Sequence, residues 1–174
     1  MSHLPPPGQA VRDLLFRELQ PGDGDALKAL LSDIWSQDGG EGLFRRLGDP
    51  DAYADRQLGD PEVCCVGDWS GEVAAFGAWR QDEGIAVVDV CGSAERLAKW
   101  KLAPPLLEHM VRRMREEGIC GVEATVLLTG TAIQAMYEGL GFRMLGKQVT
   151  EDGEIICYHK RLSGRGRESH RVKL

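Results

Sequence analysis

The chain has 174 residues, of which 43% are hydrophobic and 28% charged, with a formal net charge of −6. This length suits one domain of about 100–200 residues with its own core, and the composition excludes global disorder. Aromatics at 6% argue against a base-stacking nucleic-acid module. No apolar run approaches the roughly 18 residues of a membrane span.

Residues 1–12 begin MSHLPPPGQA, without a basic start and an apolar stretch, so a disordered leader is expected rather than a secretory signal. Residues 13–20, DLLFRELQ, read as a short strand. Pro21-Gly22-Asp23-Gly24-Asp25 is a turn able to cap a helix. Leu27, Leu30, Leu31 and Ile34 then recur at helical spacing until Gly39-Gly40. A second helical stretch over 41–58 is interrupted at Asp49-Pro50. Residues 62–68 and 72–80 read as strands joined by a hairpin turn at Trp69-Ser70-Gly71. Residues 84–90, GIAVVDV, form a continuous apolar run around one acid and predict a central buried strand.

The clearest helix opens at Pro104-Pro105 and carries Leu106, Leu107, Met110, Val111 and Met114 on one face, ending at Gly118. Residues 119–128 predict a strand. Thr129-Gly130-Thr131 caps a short helix carrying Ala132, Ile133, Met136 and Leu140 and stopping at Gly141. Residues 142–149 and 154–161 predict a hairpin across Glu151-Asp152-Gly153. The order is that of a mixed α/β or α+β domain over 13–162, in which a strand–helix–strand crossover makes parallel neighbours.

Charge is unevenly spread. The last fifteen residues carry six basic side chains and one acid, so the preceding 159 hold fifteen basic and 26 acidic residues. An acidic body favours cationic partners such as amines, and residues 163–174 read as a solvated basic tail. The odd set of five cysteines, Cys64, Cys65, Cys91, Cys120 and Cys157, has no metal spacing and reads as buried free thiols in a reducing cytoplasm. The four histidines are scattered, so no metal is expected.

The most informative segment is AMYEGLGFRMLG, from Ala135 to Gly146. Tyr137 stands one turn before the end of its helix, where a hydroxyl can face a cleft as a proton donor or pack against the sheet. YEGLGF resembles the Y-x-x-L-G-F signature of the GNAT superfamily of acyl-CoA-dependent N-acyltransferases, and the element order resembles that fold over nearly the whole chain apart from the tails. The resemblance implies a mixed sheet of about six to seven strands flanked by about four helices.

It also implies a chemistry. Tyr137 matches the tyrosine that protonates the departing CoA thiolate. The position where the family often has a cofactor-contacting Asn is Gly130 here, and a hydroxyl from flanking Thr131 is the expected substitute. The family's diphosphate turn aligns with AKWKLAPP, which puts Ala98, Lys101 and Ala103 at its key positions. Lys99, Trp100, Lys101, Leu102 and Ala103 are thus the expected diphosphate contacts, through backbone N–H groups and the helix dipole. Against this, Lys101 carries a Cβ where the family has glycine, and Pro104 and Pro105 lack N–H groups. Backbone groups around Val88, Val90 and Cys91 are expected beside the pantetheine arm and the oxyanion. Asp89 and Glu123, acids on the two middle strands, are the candidate bases.

The function implied is transfer of an acetyl group from acetyl-CoA to a primary amine by direct attack, since no activated nucleophile is visible. The acceptor class is a small amine, a protein lysine or a protein N-terminus, with no membrane partner and nucleic acid disfavoured; a homodimer is compatible with the fold. The alternative is a non-catalytic ligand-sensing or protein-interaction module that keeps the fold with an eroded CoA site.

Overall fold

The computed structural model describes residues 13–37, 40–60, 63–127, 130–151 and 153–162. The expected leader and basic tail lie outside them, as do Gly39, Glu62, Leu128, Thr129 and Asp152. The strands are β1 (Leu14–Arg17), β2 (Cys64–Trp69), β3 (Glu72–Asp82), β4 (Ile85–Ser93), β5 (Gly121–Leu127), β6 (Arg143–Thr150) and β7 (Gly153–Arg161). The helices are α1 (Gly24–Ser36), α2 (Gly40–Leu47), α3 (Pro50–Gly59), α4 (Ala103–Glu116) and α5 (Thr131–Gly139), with 3-10 turns at Pro21–Asp23 and Glu95–Trp100.

All seven strands share one sheet in the order β1-β2-β3-β4-β5-β7-β6. Only β4 and β5 pair in parallel. Two tight turns set the antiparallel half. Ser70 and Gly71, then Glu83 and Gly84, all have positive φ, which matches the right-handed twist of the hairpins they close. Trp69 belongs to β2 rather than to the turn, because it still pairs with Glu72.

Helices cover the sheet from both sides. A Cβ on Gly77 would lie 2.2 Å from Met110 Sδ in α4, whereas one on Gly92 would lie 3.2 Å from Ile34 Cδ1 in α1. Gly77 pairs with Cys91, the neighbour of Gly92, so α4 and α1 occupy opposite faces. The helical spacing of α4 puts Leu106, Leu107, Met110 and Met114 at 0% exposure against the sheet. Burying each such side chain contributes about 1.5–3 kcal/mol before entropy is counted. Arg17 ties the first elements together, its guanidinium 2.7 Å from Asp23 and 2.9 Å from Asp68.

Two expectations are corrected, for α5 and for the thiols, whereas the 41–58 stretch is interrupted near Asp49-Pro50 as expected and forms two helices, so that five flank the sheet among the described residues. The break falls at Gly48-Asp49, where the Asp49 carboxylate accepts the Ala52 amide and caps α3. In α5 only Tyr137 is buried, and Ala132 and Ile133 face solvent because the helix rests on the sheet by its last turn. The five thiols are free, but Cys120 is exposed in the loop entering β5, and Cys91 and Cys157 are half-buried. Among the described residues no helix is long and apolar enough to cross a membrane.

Candidate active site

The parallel ladder between β4 and β5 is short. It runs from Ile85–Gly121 to Val87–Glu123 and stops, although β4 continues to Ser93 and β5 to Leu127. Each strand keeps its antiparallel partner beyond that point. The sheet therefore opens as a V, with one edge of β4 from Val88 onward unpaired toward β5. A bulge accompanies the opening: Trp79 pairs with Val88 and Ala78 with Val90, which leaves Asp89 as the extra residue. Such a bulge adds twist and bends a strand away from its neighbour.

Tyr137 reaches the V from the face covered by α4 and α5. Its ring stacks on Tyr158 at 5.7 Å and meets the edge of Phe142 at 5.0 Å. Tyr158 in turn donates its hydroxyl to Glu138 at 3.0 Å, which anchors the platform. The Tyr137 hydroxyl has no hydrogen-bond partner among the described residues. Burial pushes its phenol well above the ordinary value, the nearby Cys91 thiol adds to that, and Arg46 opposes it. Arg46 belongs to the opposite face of the sheet, where it bonds to Thr125.

Asp89 lies on that opposite face. Its side chain is 17% exposed, and Arg80 Nε approaches its Oδ1 at 3.5 Å. Burial raises its carboxyl above the usual carboxylate range, while Arg80 and then Arg46 pull it back. Tyr53, on α3, packs its ring on Trp35 at 5.6 Å, and its buried hydroxyl has no hydrogen-bond partner among the described residues. Burial raises the Tyr53 phenol, and the Asp89 carboxylate raises it further. Glu123 sits at the vertex of the V, half-exposed, with Oε1 3.8 Å from His159 Nδ1. Asp89 and Tyr137 thus flank the opening from its two faces, with Glu123 at its base.

The expected cofactor residues divide. Val88 and Val90 sit on either side of the bulge, and Cys91 points to the α4 face, its thiol 3.7 Å from the Ala103 carbonyl. The turn before α4 is packed rather than open. Trp100 is 3% exposed against Trp69 and Leu102 is 1% exposed, so only their backbone is offered to a ligand. Lys101 takes a left-handed φ of 51° and its amide bonds to Ala98 O. The Leu106 amide bonds to Leu102 O and the prolines have none, which leaves Leu102 and Ala103 as the amides free at the helix start. Lys99 and Lys101 are exposed beside them, Lys99 lying 4.1 Å from the centre of the Trp100 ring. Thr131 is exposed at the first residue of α5.

Sequence reasoning missed Arg46, Thr125, Tyr53 and Tyr158. Tyr158 alone had a signal, since it sits in an apolar alternation on the last strand. A separate groove of about 500 Å³ along α4, lined by Phe16, His109, Arg112, Leu140 and Lys160 among others, includes none of the expected site residues. Among the described residues no cluster of three or more His, Cys, Asp or Glu is placed to hold a metal ion.

This architecture is that of the GNAT acetyltransferases. The chain superposes on an acetyltransferase of the GNAT family from Streptococcus pneumoniae with a TM-score of 0.66 at 20% identity, covering 86% of this chain and 99% of that one. It is similar to the ribosomal-protein-S18-alanine N-acetyltransferase of Escherichia coli, with a TM-score of 0.69 at 18% identity over 89% and 97% of the two chains. It is also similar to the PaiA N-acetyltransferase of Thermoplasma acidophilum in complex with coenzyme A, with a TM-score of 0.67 at 15% identity over 85% and 98%. No protein-family model matches the sequence, and comparison with curated proteins gives no significant match. At these identities the likeness defines the fold as GNAT.

Proposed function

We propose that this chain is a GNAT acyltransferase that moves an acetyl group from acetyl-CoA to a primary amine by direct attack. One observation carries the reading: β4 and β5 part beyond Val87 and Glu123, with the buried Tyr137 phenol on one face of the sheet and the half-buried Asp89 carboxylate on the other. The unpaired edge of β4 fits an extended pantetheine arm, which binds as an added strand does. Acetyl-CoA supplies the activated acyl carbon and a thiolate leaving group.

The chain's own groups supply the rest. Asp89 takes the proton from the incoming ammonium and frees the nitrogen lone pair for the carbonyl carbon. Its raised pKa keeps it a stronger base than an exposed carboxylate. Backbone amides at the Val88–Cys91 bulge hold the developing oxyanion. As the C–S bond breaks, Tyr137 gives its proton to the sulfur, and the second proton that the acceptor nitrogen sheds on becoming an amide returns through solvent to the phenolate. The same burial that raises Tyr137 also raises the Cys91 thiol, so a thiolate leaving there is a stronger base than in water. Lys99 and Lys101, with the Leu102 and Ala103 amides, hold the diphosphate. The five free cysteines suit a reducing compartment such as the cytoplasm.

A second reading, a GNAT-shaped module without catalysis, is favoured by the two prolines and the packed side chains at the start of α4. Thermal unfolding with CoA separates the two. Ligand at 100 times its Kd stabilises by about 2.7 kcal/mol, and acetyl-CoA consumption should then depend on added amine. No shift at millimolar CoA leaves the module as the better reading.

A further inference from the structure

Along β5, the residues facing α5 are buried and those facing the other way are exposed: Val122, Ala124 and Val126 against Glu123 and Thr125. That exposed face is the acceptor side of the V, and α2 forms its wall. Arg46 Nη1 donates to Thr125 Oγ1 at 3.2 Å, which carries a guanidinium from α2 across to the far strand. Arg45 Nη1 donates to the Glu151 carbonyl at 3.4 Å, in the hairpin between β6 and β7. Arg46 is itself exposed, and Thr125 is its one hydrogen-bond partner among the described residues. A guanidinium has five N–H donors in a planar fork, so most of this one is uncommitted.

The charges around the opening are of both signs. Asp89 is flanked by Arg80 at 3.5 Å and feels Arg46 as well, and Glu123 stands two residues before Thr125 on the same face. A simple polyamine entering here meets two guanidinium groups as like charges. A purely anionic molecule offers Asp89 nothing to deprotonate.

We propose that the acceptor is an amine that carries its own carboxylate, seated with its nitrogen at Asp89 and its carboxylate on the Arg46 fork. The proposal rests on the transferase reading above and names the substrate class of that site. It departs from the cationic amine that the acidic overall charge favours, because the local charge differs from the global one. Guanidinium–carboxylate pairing is planar and often bidentate, so it selects a carboxylate over the matching carboxamide.

The test measures acetyl transfer to the standard L-amino acids, β-alanine and 4-aminobutyrate, each beside its carboxamide, with spermidine as the polyamine arm. At least one free acid should exceed its carboxamide about ten- to hundredfold in kcat/KM, the range for a hydrogen bond to a charged group. Arg46→Gln should erase that preference by raising KM for the acid far more than KM for the carboxamide, and Arg46→Lys should restore part of it. Arg46 is on the surface, so unfolding of the variant is checked directly by its melting temperature. Equal use of acid and carboxamide, preference for spermidine, or turnover indifferent to Arg46→Gln overturns the proposal while the transferase reading stands. Failure of CoA to shift the melting temperature, together with no transfer to any amine, removes the transferase reading and this proposal with it.

Discussion

The two faces of the opened sheet hold their polar groups in opposite ways. On the α4–α5 face Tyr137 lies in an aromatic stack with Tyr158 and Phe142. On the α2–α3 face Asp89 sits among Arg80, Arg46 and Tyr53. The first environment keeps a phenol protonated at neutral pH. The second raises a carboxylate yet leaves it ionisable. The lesson is that one gap in a sheet can hold a phenol and a carboxylate in unlike environments simply because its two sides are packed differently.

The largest test of this division is Tyr137→Phe. It removes the proposed proton donor but keeps the ring stack, so kcat should fall by about 10²–10⁴-fold while the CoA-induced thermal shift persists. An unchanged kcat would assign Tyr137 to packing alone.

Asp89→Asn attacks the other face. Turnover should drop about 10²-fold or more, and the acid limb of the kcat profile should disappear. In the parent protein that limb should lie above the ordinary carboxylate range, since the folded pKa is raised. The sign for stability is the reverse of that for activity. The folded state binds the Asp89 proton more tightly than the unfolded chain does, so stability declines as pH rises from the ordinary value through the folded one. Asp89→Asn should remove that decline, and melting temperatures measured from pH 4 to 8 would reveal it. A variant that is both inactive and less stable at neutral pH would mark Asp89 as a structural ion pair with Arg80.

The α4 side depends on close approach of helix and strand. Gly77→Ala places a Cβ against Met110 Sδ, an overpacking that should cost about 1–3 kcal/mol in denaturant unfolding. The mildest test uses thiol chemistry. Burial pushes Cys64 and Cys65 up to about 12 and raises Cys91 further. Exposed Cys120 should therefore be alkylated well before these three at pH 8, with mass mapping as the readout. Fast labelling of Cys91 would mean the V is open to bulk solvent on the phenol side.

Much of the fold could be read along the chain because its signals are local. Leu27, Leu30, Leu31 and Ile34, or Leu106 to Met114, fall on one helix face whatever lies opposite. Ser70-Gly71 and Glu83-Gly84 close hairpins through their own backbone angles. Tyr137 was legible because Y-x-x-L-G-F packs a helix end, a left-handed glycine and a strand start into six residues. The burial of Trp100 and Leu102 was not legible, since their partners come from distant strands. The solvent exposure of Ala132 and Ile133 likewise depended on where α5 rests.

The amino-acid order therefore determined the elements and the crossover, because periodicity and turn chemistry act over a few residues. Tertiary structure alone decided that Asp89 is the odd residue of a bulge and that the parallel ladder ends at Val87. It also decided that Arg46 meets Thr125, 79 residues away in the chain. Register between strands and the direction of a side chain on a short helix are fixed by what each element packs against, and that information is nonlocal.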